Sequence, residues 1–314
     1  MKTLRTAVIG VGYLGNFHAQ KYALLPQVEL VGVADNDSKR GGEIAQALDT
    51  QFFGDYRDLI GKVDAVSVVV PTQFHYAVAR DFLAAGVHVL IEKPITVTIE
   101  EADQLIALAE QQGVVFQVGH LERFNPVLVA LEGVLVEPLF IESVRIAPFK
   151  PRGTDVNVVL DLMIHDIDII QHIVKSPVER IDAIGAPVFT GEEDIANARI
   201  LFRNGCVANV TASRISLKSE RKMRIFQRDA YITLDFQNRK ILIANKGAGE
   251  LFPGVPNVKV DERQLGEADA LRSEIESFLS AIREGLPPQV SGNDGRMALE
   301  TALKINTSLG RRHS

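Results

Sequence analysis

Thr6-Ala7-Val8-Ile9-Gly10-Val11-Gly12-Tyr13-Leu14-Gly15 carries an apolar run straight into a turn with glycines in G-x-G-x-x-G order. In that order the first glycine makes the tight turn and the second lets a pyrophosphate approach the backbone. The third lets the next helix pack closely on its sheet. The helix N-terminus adds unpaired N–H groups and partial positive charge, which suit phosphate. Gly10, Gly12, Tyr13, Leu14 and Gly15 are therefore candidate cofactor-binding residues. The motif alone is weak, and the next strand strengthens it. Val28–Ala34 is mostly apolar and ends at Asp35, 25 positions beyond Gly10. An acid there accepts hydrogen bonds from the adenosine ribose and repels a 2′-phosphate. The spacing predicts NAD rather than NADP. Lys39 and Arg40 lie just beyond and would soften that preference, and the bland role for Asp35 is a helix cap.

Working outward, strands and helices alternate through the first 120 residues. Helices are expected over 39–48, 74–85 and 99–112, and strands over 63–70, 87–91 and 114–118. Continuous apolar strands between amphipathic helices predict a parallel sheet covered on both faces. Its ligand edge would collect Gly10, Asp35, Pro71, Glu92-Lys93-Pro94 and His120. After His120 the rhythm changes. A short helix is expected over 125–132 and another over 160–174. Strands are expected over 140–146, 178–184, 195–202, 206–213, 223–227 and 231–236, forming a largely antiparallel sheet. The expected division is 1–120, binding the cofactor, and 121–314, binding substrate and mediating oligomerisation. Two late helices, 271–282 and 296–309, could pack back on the first domain.

Composition narrows the class. A chain of 314 residues suits two cores. At 46% hydrophobic and 24% charged it is ordinary for a globular protein. A net charge of −6 without basic–aromatic stripes argues against nucleic-acid binding. No apolar run is long enough to span a membrane, and the N-terminus lacks the three regions of a signal peptide. The single cysteine, Cys206, excludes an intrachain disulfide and a cysteine-cluster metal site. A cytoplasmic protein is the expectation.

Two clusters carry chemistry. Glu92-Lys93-Pro94 closes a strand at the cofactor edge, where a lysine can steady an alkoxide that develops as hydride leaves. The alternative is a surface lysine at a strand end. In Asp161-Leu162-Met163-Ile164-His165-Asp166-Ile167-Asp168, a helix would put Asp161 and His165 on one face. Histidine titrates near neutrality, so His165 suits proton exchange with a hydroxyl, with Asp161 orienting it or touching substrate. No second well-spaced histidine completes a metal site, so no metal is expected. Thr72 and His75 are weaker cofactor candidates beside Pro71 and Glu92. His75 could instead cap its helix and pack in the core. His18 reads as a domain-contact residue, and His88 and Cys206 read as structural.

These residues bring a resemblance with them. The chain resembles the glucose–fructose oxidoreductase, inositol dehydrogenase and rhizopine-catabolism protein family over nearly its whole length. The marks are Gly10–His18, Pro71-Thr72-Gln73-Phe74-His75, Glu92-Lys93-Pro94 and Asp161–Asp168. The resemblance implies an N-terminal Rossmann domain and a C-terminal α/β domain with a large open sheet. It implies Lys93, Asp161 and His165 around the carbon that exchanges hydride with NAD, with His165 as acid/base. It also implies homodimers or homotetramers joined through that second sheet.

A narrower likeness runs through Gly119-His120-Leu121-Glu122-Arg123-Phe124-Asn125-Pro126 and through Pro151-Arg152-Gly153 to Asp161. Both resemble bacterial members of the family that act on nucleotide sugars. Those members oxidise the 3-hydroxyl of UDP-N-acetylglucosamine or its uronate, ahead of amination for surface polysaccharide or lipid A. By that likeness Arg123, Asn125 and Arg152 would touch the sugar nucleotide, as arginine and asparagine chemistry allows. Lys150, Arg214 and Lys218 are further charges that could meet a diphosphate. The alternative is that Arg123–Pro126 simply starts a helix. Rival functions are an inositol or free-polyol dehydrogenase, an NAD-dependent glycosidase, and a non-catalytic NAD-binding subunit.

Overall fold

The computed structural model describes residues 3–131, 133–150 and 156–310. The chain divides into two compact units, Met1–Leu121 with Asp269–Arg296, and Glu122–Ala268 with Met297–Ser314.

The first unit is a six-stranded parallel sheet in the order β3-β2-β1-β4-β5-β6. Its strands are β1 (Leu4–Ile9), β2 (Val28–Ala34), β3 (Gln51–Phe53), β4 (Ala65–Val68), β5 (His88–Glu92) and β6 (Phe116–Gly119). The helices are α1 (Tyr13–Leu24), α2 (Ser38–Ala47), α3 (His75–Ala84) and α4 (Ile99–Gln112). The order reverses between β1 and β4, which is where such sheets bind ligands, beyond the strand C-termini. Edge strand β3 was not expected, since three residues carry too little pattern to read.

Sequence chemistry explains the boundaries. Thr98 and Glu101 form a reciprocal capping box that starts α4, and left-handed Gly113 ends it. The late helix α7 (Ala270–Glu284) is capped by Asp269 and buries Leu271, Ile275, Phe278 and Leu279 in the core of this unit. An ion pair from Lys21 of α1 to Asp269 anchors its start.

The second unit is an eight-stranded sheet in the order β14-β13-β12-β11-β7-β10-β9-β8. These are β7 (Pro138–Ile146), β8 (Val178–Ala186), β9 (Ile195–Phe202), β10 (Val207–Ser213), β11 (Glu220–Gln227), β12 (Ala230–Asp235), β13 (Lys240–Phe252) and β14 (Val255–Gln264). Only β7 and β10 pair in parallel. Alternating inward residues, such as Ala196, Ala198, Ile200 and Phe202 of β9, build one core with α6 (Ile164–Val174). Ala298, Ala302, Ile305 and Leu309 of α8 (Gly292–Gly310) complete it.

The last strand expected from the sequence ends at residue 236, so the β13–β14 hairpin was missed. β14 is almost wholly exposed, charged, and carries Pro256, so it lacks the inside–outside alternation that marks a strand. Charge and proline are normal on an edge strand. Among the described residues no helix is long and apolar enough to cross a membrane.

Candidate active site

The glycine-rich turn is built as its spacing requires. Gly10 has φ +85°, and a Cβ there would meet the Val69 carbonyl oxygen at 2.7 Å. A Cβ on Gly15 would lie 1.8 Å from the Gly10 carbonyl oxygen, so α1 can pass this close only with glycine. A Cβ on Gly12 would meet nothing, which leaves the open approach a pyrophosphate needs. Tyr13 and Leu14 begin α1, and Tyr13 is exposed with its ring edge-on to Phe17. A cavity of about 590 Å³ opens at this turn, lined by Gly10, Gly12, Asp35, Arg40, Val70 and Pro71 among others. Its place and lining fit NAD.

Asp35 is buried at the end of β2. It accepts the Val11 N–H at 2.8 Å, the Asp37 N–H at 2.9 Å and Arg40 Nη2 at 2.9 Å. Burial works against its charge, but Arg40 and the two backbone donors outweigh that and hold its pKa below the ordinary value. Asp37, not Asp35, caps α2.

Pro71 starts the short 3₁₀ turn Thr72–Phe74, with Thr72 partly exposed at its head. The structure corrects the reading of His75 as a cofactor contact. The side chain is buried, with Nδ1 2.9 Å from the Pro94 carbonyl and Nε2 2.9 Å from the Val70 carbonyl. It ties the Lys93–Pro94 turn to the end of β4. His18 is likewise no domain-contact residue. It is fully buried inside the first unit, facing Ser67 and Glu92. His88 is structural as expected, accepting the Val115 N–H at 2.8 Å.

Lys93 is half-buried directly after β5, and its backbone N–H donates to Glu92 Oε2 at 3.2 Å. Asp161 and His165 lie in the second unit. Val159–Met163 forms a π-turn that runs into α6, so Asp161 stands in the π segment and His165 in the first turn of the α-helix. Both are half-buried, while Met163, Ile164 and Asp166 between and beside them are buried. A uniform α-helix was expected here. π-turns of this kind recur at functional sites.

Arg123 and Asn125, expected as sugar contacts, are both hydrogen-bonded within the protein. Arg123 is buried and gives Nε and Nη2 to the two oxygens of Asp168 at 2.7 and 3.0 Å. Asn125 accepts the Val127 N–H to cap α5 (Pro126–Val129), and its amide donates to Glu122. Arg214 is also spent internally, on Asp194 at 2.8 Å and on the Val156 carbonyl at 2.6 Å. Sequence reasoning missed these ion pairs because their partners lie 20 to 45 positions away. Lys218 is exposed and pairs with Glu220, whereas Arg152 lies outside the described residues.

A third buried cluster joins them. Arg145 of β7 donates to Asp166 through Nε and Nη2 and to Glu122 through Nη1 at 2.9 Å. Burial disfavours each charge, but mutual attraction wins, so Glu122 is held below and Arg145 above its ordinary value.

Two family models match the chain. One is the oxidoreductase family with an NAD-binding Rossmann fold, over residues 4–120, and the other the GFO/IDH/MocA C-terminal domain, over 147–233. The UDP-N-acetylglucosamine 3-dehydrogenase of Acidithiobacillus ferrooxidans is 42% identical, over 98% of this chain and 97% of the relative. The chain belongs to the GFO/IDH/MocA family. It is an NAD-dependent oxidoreductase of that family, with the parallel dinucleotide-binding sheet and the open second sheet expected from its sequence. A solved structure of the Acidithiobacillus enzyme superposes with a TM-score of 0.93 at 42% identity, covering 98% of both chains. The myo-inositol 2-dehydrogenase of Thermotoga maritima is 24% identical over 99% of this chain and 98% of the relative.

Proposed function

We propose that the chain oxidises a CH–OH group of a sugar, and that the sugar is a UDP-N-acetylhexosamine oxidised at its 3-hydroxyl. The observation that carries this is the full-length 42% identity to an enzyme of that name. The inositol dehydrogenase among the relatives is far more distant at 24%. Bound NAD⁺ supplies the hydride acceptor. Lys93 steadies the sugar oxygen as negative charge develops. His165 removes the hydroxyl proton, and Asp161 orients the imidazole or holds a neighbouring hydroxyl. The carbon loses its hydrogen as hydride and its hydroxyl proton to His165, which leaves a ketone.

The test is absorbance at 340 nm with NAD⁺ and UDP-N-acetylglucosamine, its uronate, free sugars and inositols in parallel. Mass detection of the sugar, with and without 2-oxoglutarate, reveals turnover in which NADH is reoxidised in place. A UDP-linked 3-keto product is the expected result. Activity confined to free polyols overturns the nucleotide-sugar reading. Assembly into a homodimer or homotetramer through the open second sheet is part of the same proposal, as is a small-molecule substrate in place of nucleic acid.

A further inference from the structure

Asn306 stands inside α8, where asparagine is a poor helix former. It lies beside the apolar stripe of Ala298, Ala302, Ile305 and Leu309 that α8 gives to the core of the second unit. Its side chain meets that of Asn157, whose Nδ2 donates to Asn306 Oδ1 at 2.9 Å. The backbone fixes the orientation of both amides. Leu160 N–H can only donate, and it meets Asn157 Oδ1 at 3.2 Å. The amide nitrogen of Asn157 is therefore the atom turned to α8, and Asn306 must present its oxygen.

Asn157 is bonded directly to the π-turn that carries Asp161. Its backbone carbonyl accepts the Asp161 N–H at 3.1 Å, and its side chain holds the residue before it. The residues on either side of Asn157 are pinned to two other elements. The Val156 carbonyl accepts Arg214 Nη1 just after β10 at 2.6 Å, and the Val158 N–H donates to the Glu193 carbonyl before β9 at 2.9 Å. Arg214 is in turn held by buried Asp194 at 2.8 Å. The far end of the same segment is gripped by α8 as well. Gln171 of α6 donates to Thr301 Oγ1 at 2.9 Å and to the Met297 carbonyl at 3.3 Å. Asp161 and His165 lie between the two grips. Val158 and Val159 are wholly buried, whereas Asp161 is half-buried, so polar contacts take over where the apolar packing ends.

We propose that Asn157 and Asn306 are positioning residues for the oxidation, a hydrogen-bonded pair that fixes the start of the π-turn and with it the place of Asp161. The proposal rests on the reading of Asp161 as a group that meets the sugar or the His165 imidazole. A misplacement of about 1 Å in a reacting constellation can lower the rate about 10²-fold, so a contact outside the site can govern turnover.

The test compares the full-length wild type with N306L, N306D, N157A and N157A/N306L. Leucine removes the acceptor at nearly the same size, and aspartate keeps an acceptor for the Asn157 amide. With NAD⁺ and UDP-N-acetylglucosamine, N306L should lose kcat by about 10- to 100-fold with KM held, and N306D should keep the wild-type kcat. N157A should lose at least as much as N306L. The double variant should lose no more than N157A, because both changes remove one contact. Amide hydrogen exchange over Val159–Met163, read by mass spectrometry without sugar, should be faster in N306L and N157A and unchanged in N306D.

Wild-type kcat in N306L overturns the proposal even where its melting temperature falls, since the pair is then structural only. Unchanged exchange over Val159–Met163 in N306L overturns it too, whatever the substrate proves to be. So does a loss in N306D equal to that in N306L, or a loss confined to KM. D161A separates the two readings. Full turnover in D161A removes the role of Asp161 and the proposal with it. An inactive D161A beside a fully active N306L leaves Asp161 its role and removes only the positioning pair.

Discussion

Arg123 and Asp168 form a two-pronged ion pair of 2.7 and 3.0 Å with both side chains almost wholly buried. Asp168 stands three residues beyond His165 on α6. The pair therefore ties the helix of the proposed acid/base to the turn that follows β6. Removing one partner of such a pair strands the other charge and typically costs about 3–5 kcal/mol. R123M should lose that much in urea unfolding, and R123M/D168L should recover most of it. Should R123M prove as stable as the wild type but lose affinity for UDP-sugar, the arginine is a ligand residue after all.

H165A should separate chemistry from cofactor binding. General acid–base groups contribute about 10²–10⁴ in rate. A loss of that size in hydride transfer is expected, with the Kd for NAD⁺ from fluorescence titration unchanged. Wild-type turnover in H165A would remove the assignment.

Asp35 and Arg40 should set cofactor preference together. D35A removes an ionised acceptor whose hydrogen bonds are worth about 1.5–3 kcal/mol, and it releases Arg40 from the carboxylate. Affinity for NAD⁺ should fall while affinity for NADP⁺ falls less or rises. Equal losses, measured by titration with both cofactors, would show that Asp35 only braces the turn through Val11.

Stability should decline in two stages on acidification. His75 and His88 have pKa values lowered by burial, so the unfolded chain takes up their protons first. Stability is then lost as pH falls below about 6.5, the unperturbed histidine value. Asp194 and Glu122 are held below the ordinary carboxylate range, against burial, by Arg214 and the Val188–Thr190 N–H groups and by Arg145 respectively. Their contribution is complete above about pH 4 and is lost as pH falls further. Melting temperature against pH should show both stages, and D194N should flatten the lower one. A flat profile from pH 7 to 5 would contradict the histidine stage.

How much of this was legible in the chain follows from the range of each interaction. The glycine turn, Asp35 and the alternation of strands and helices are local signals, and the structure repeats them nearly residue for residue. Lys93, Asp161 and His165 could be singled out as candidates because strand ends and helical spacing are also local. The internal partners of Arg123, Asn125, His75 and Arg214 could not be read in advance, because side-chain type shows what a residue can do and not what it meets. Arg123 meets Asp168 only once α6 has folded beside it. β14 escaped because an exposed edge strand needs no apolar face.

The π-turn at Val159–Met163 has a consequence for the arithmetic of the chain. A π-turn is in effect an α-helix with one surplus residue wedged in. Deleting a single residue there would let the helix relax to even winding. Everything upstream would then swing by about 100°, one residue's share of a 3.6-residue turn. Asp161 would leave its bearing relative to His165 while the helix itself gained regularity. The stretch is thus a place where a shorter chain would fold more comfortably and serve less well, so its length is as much a part of the site as its side chains.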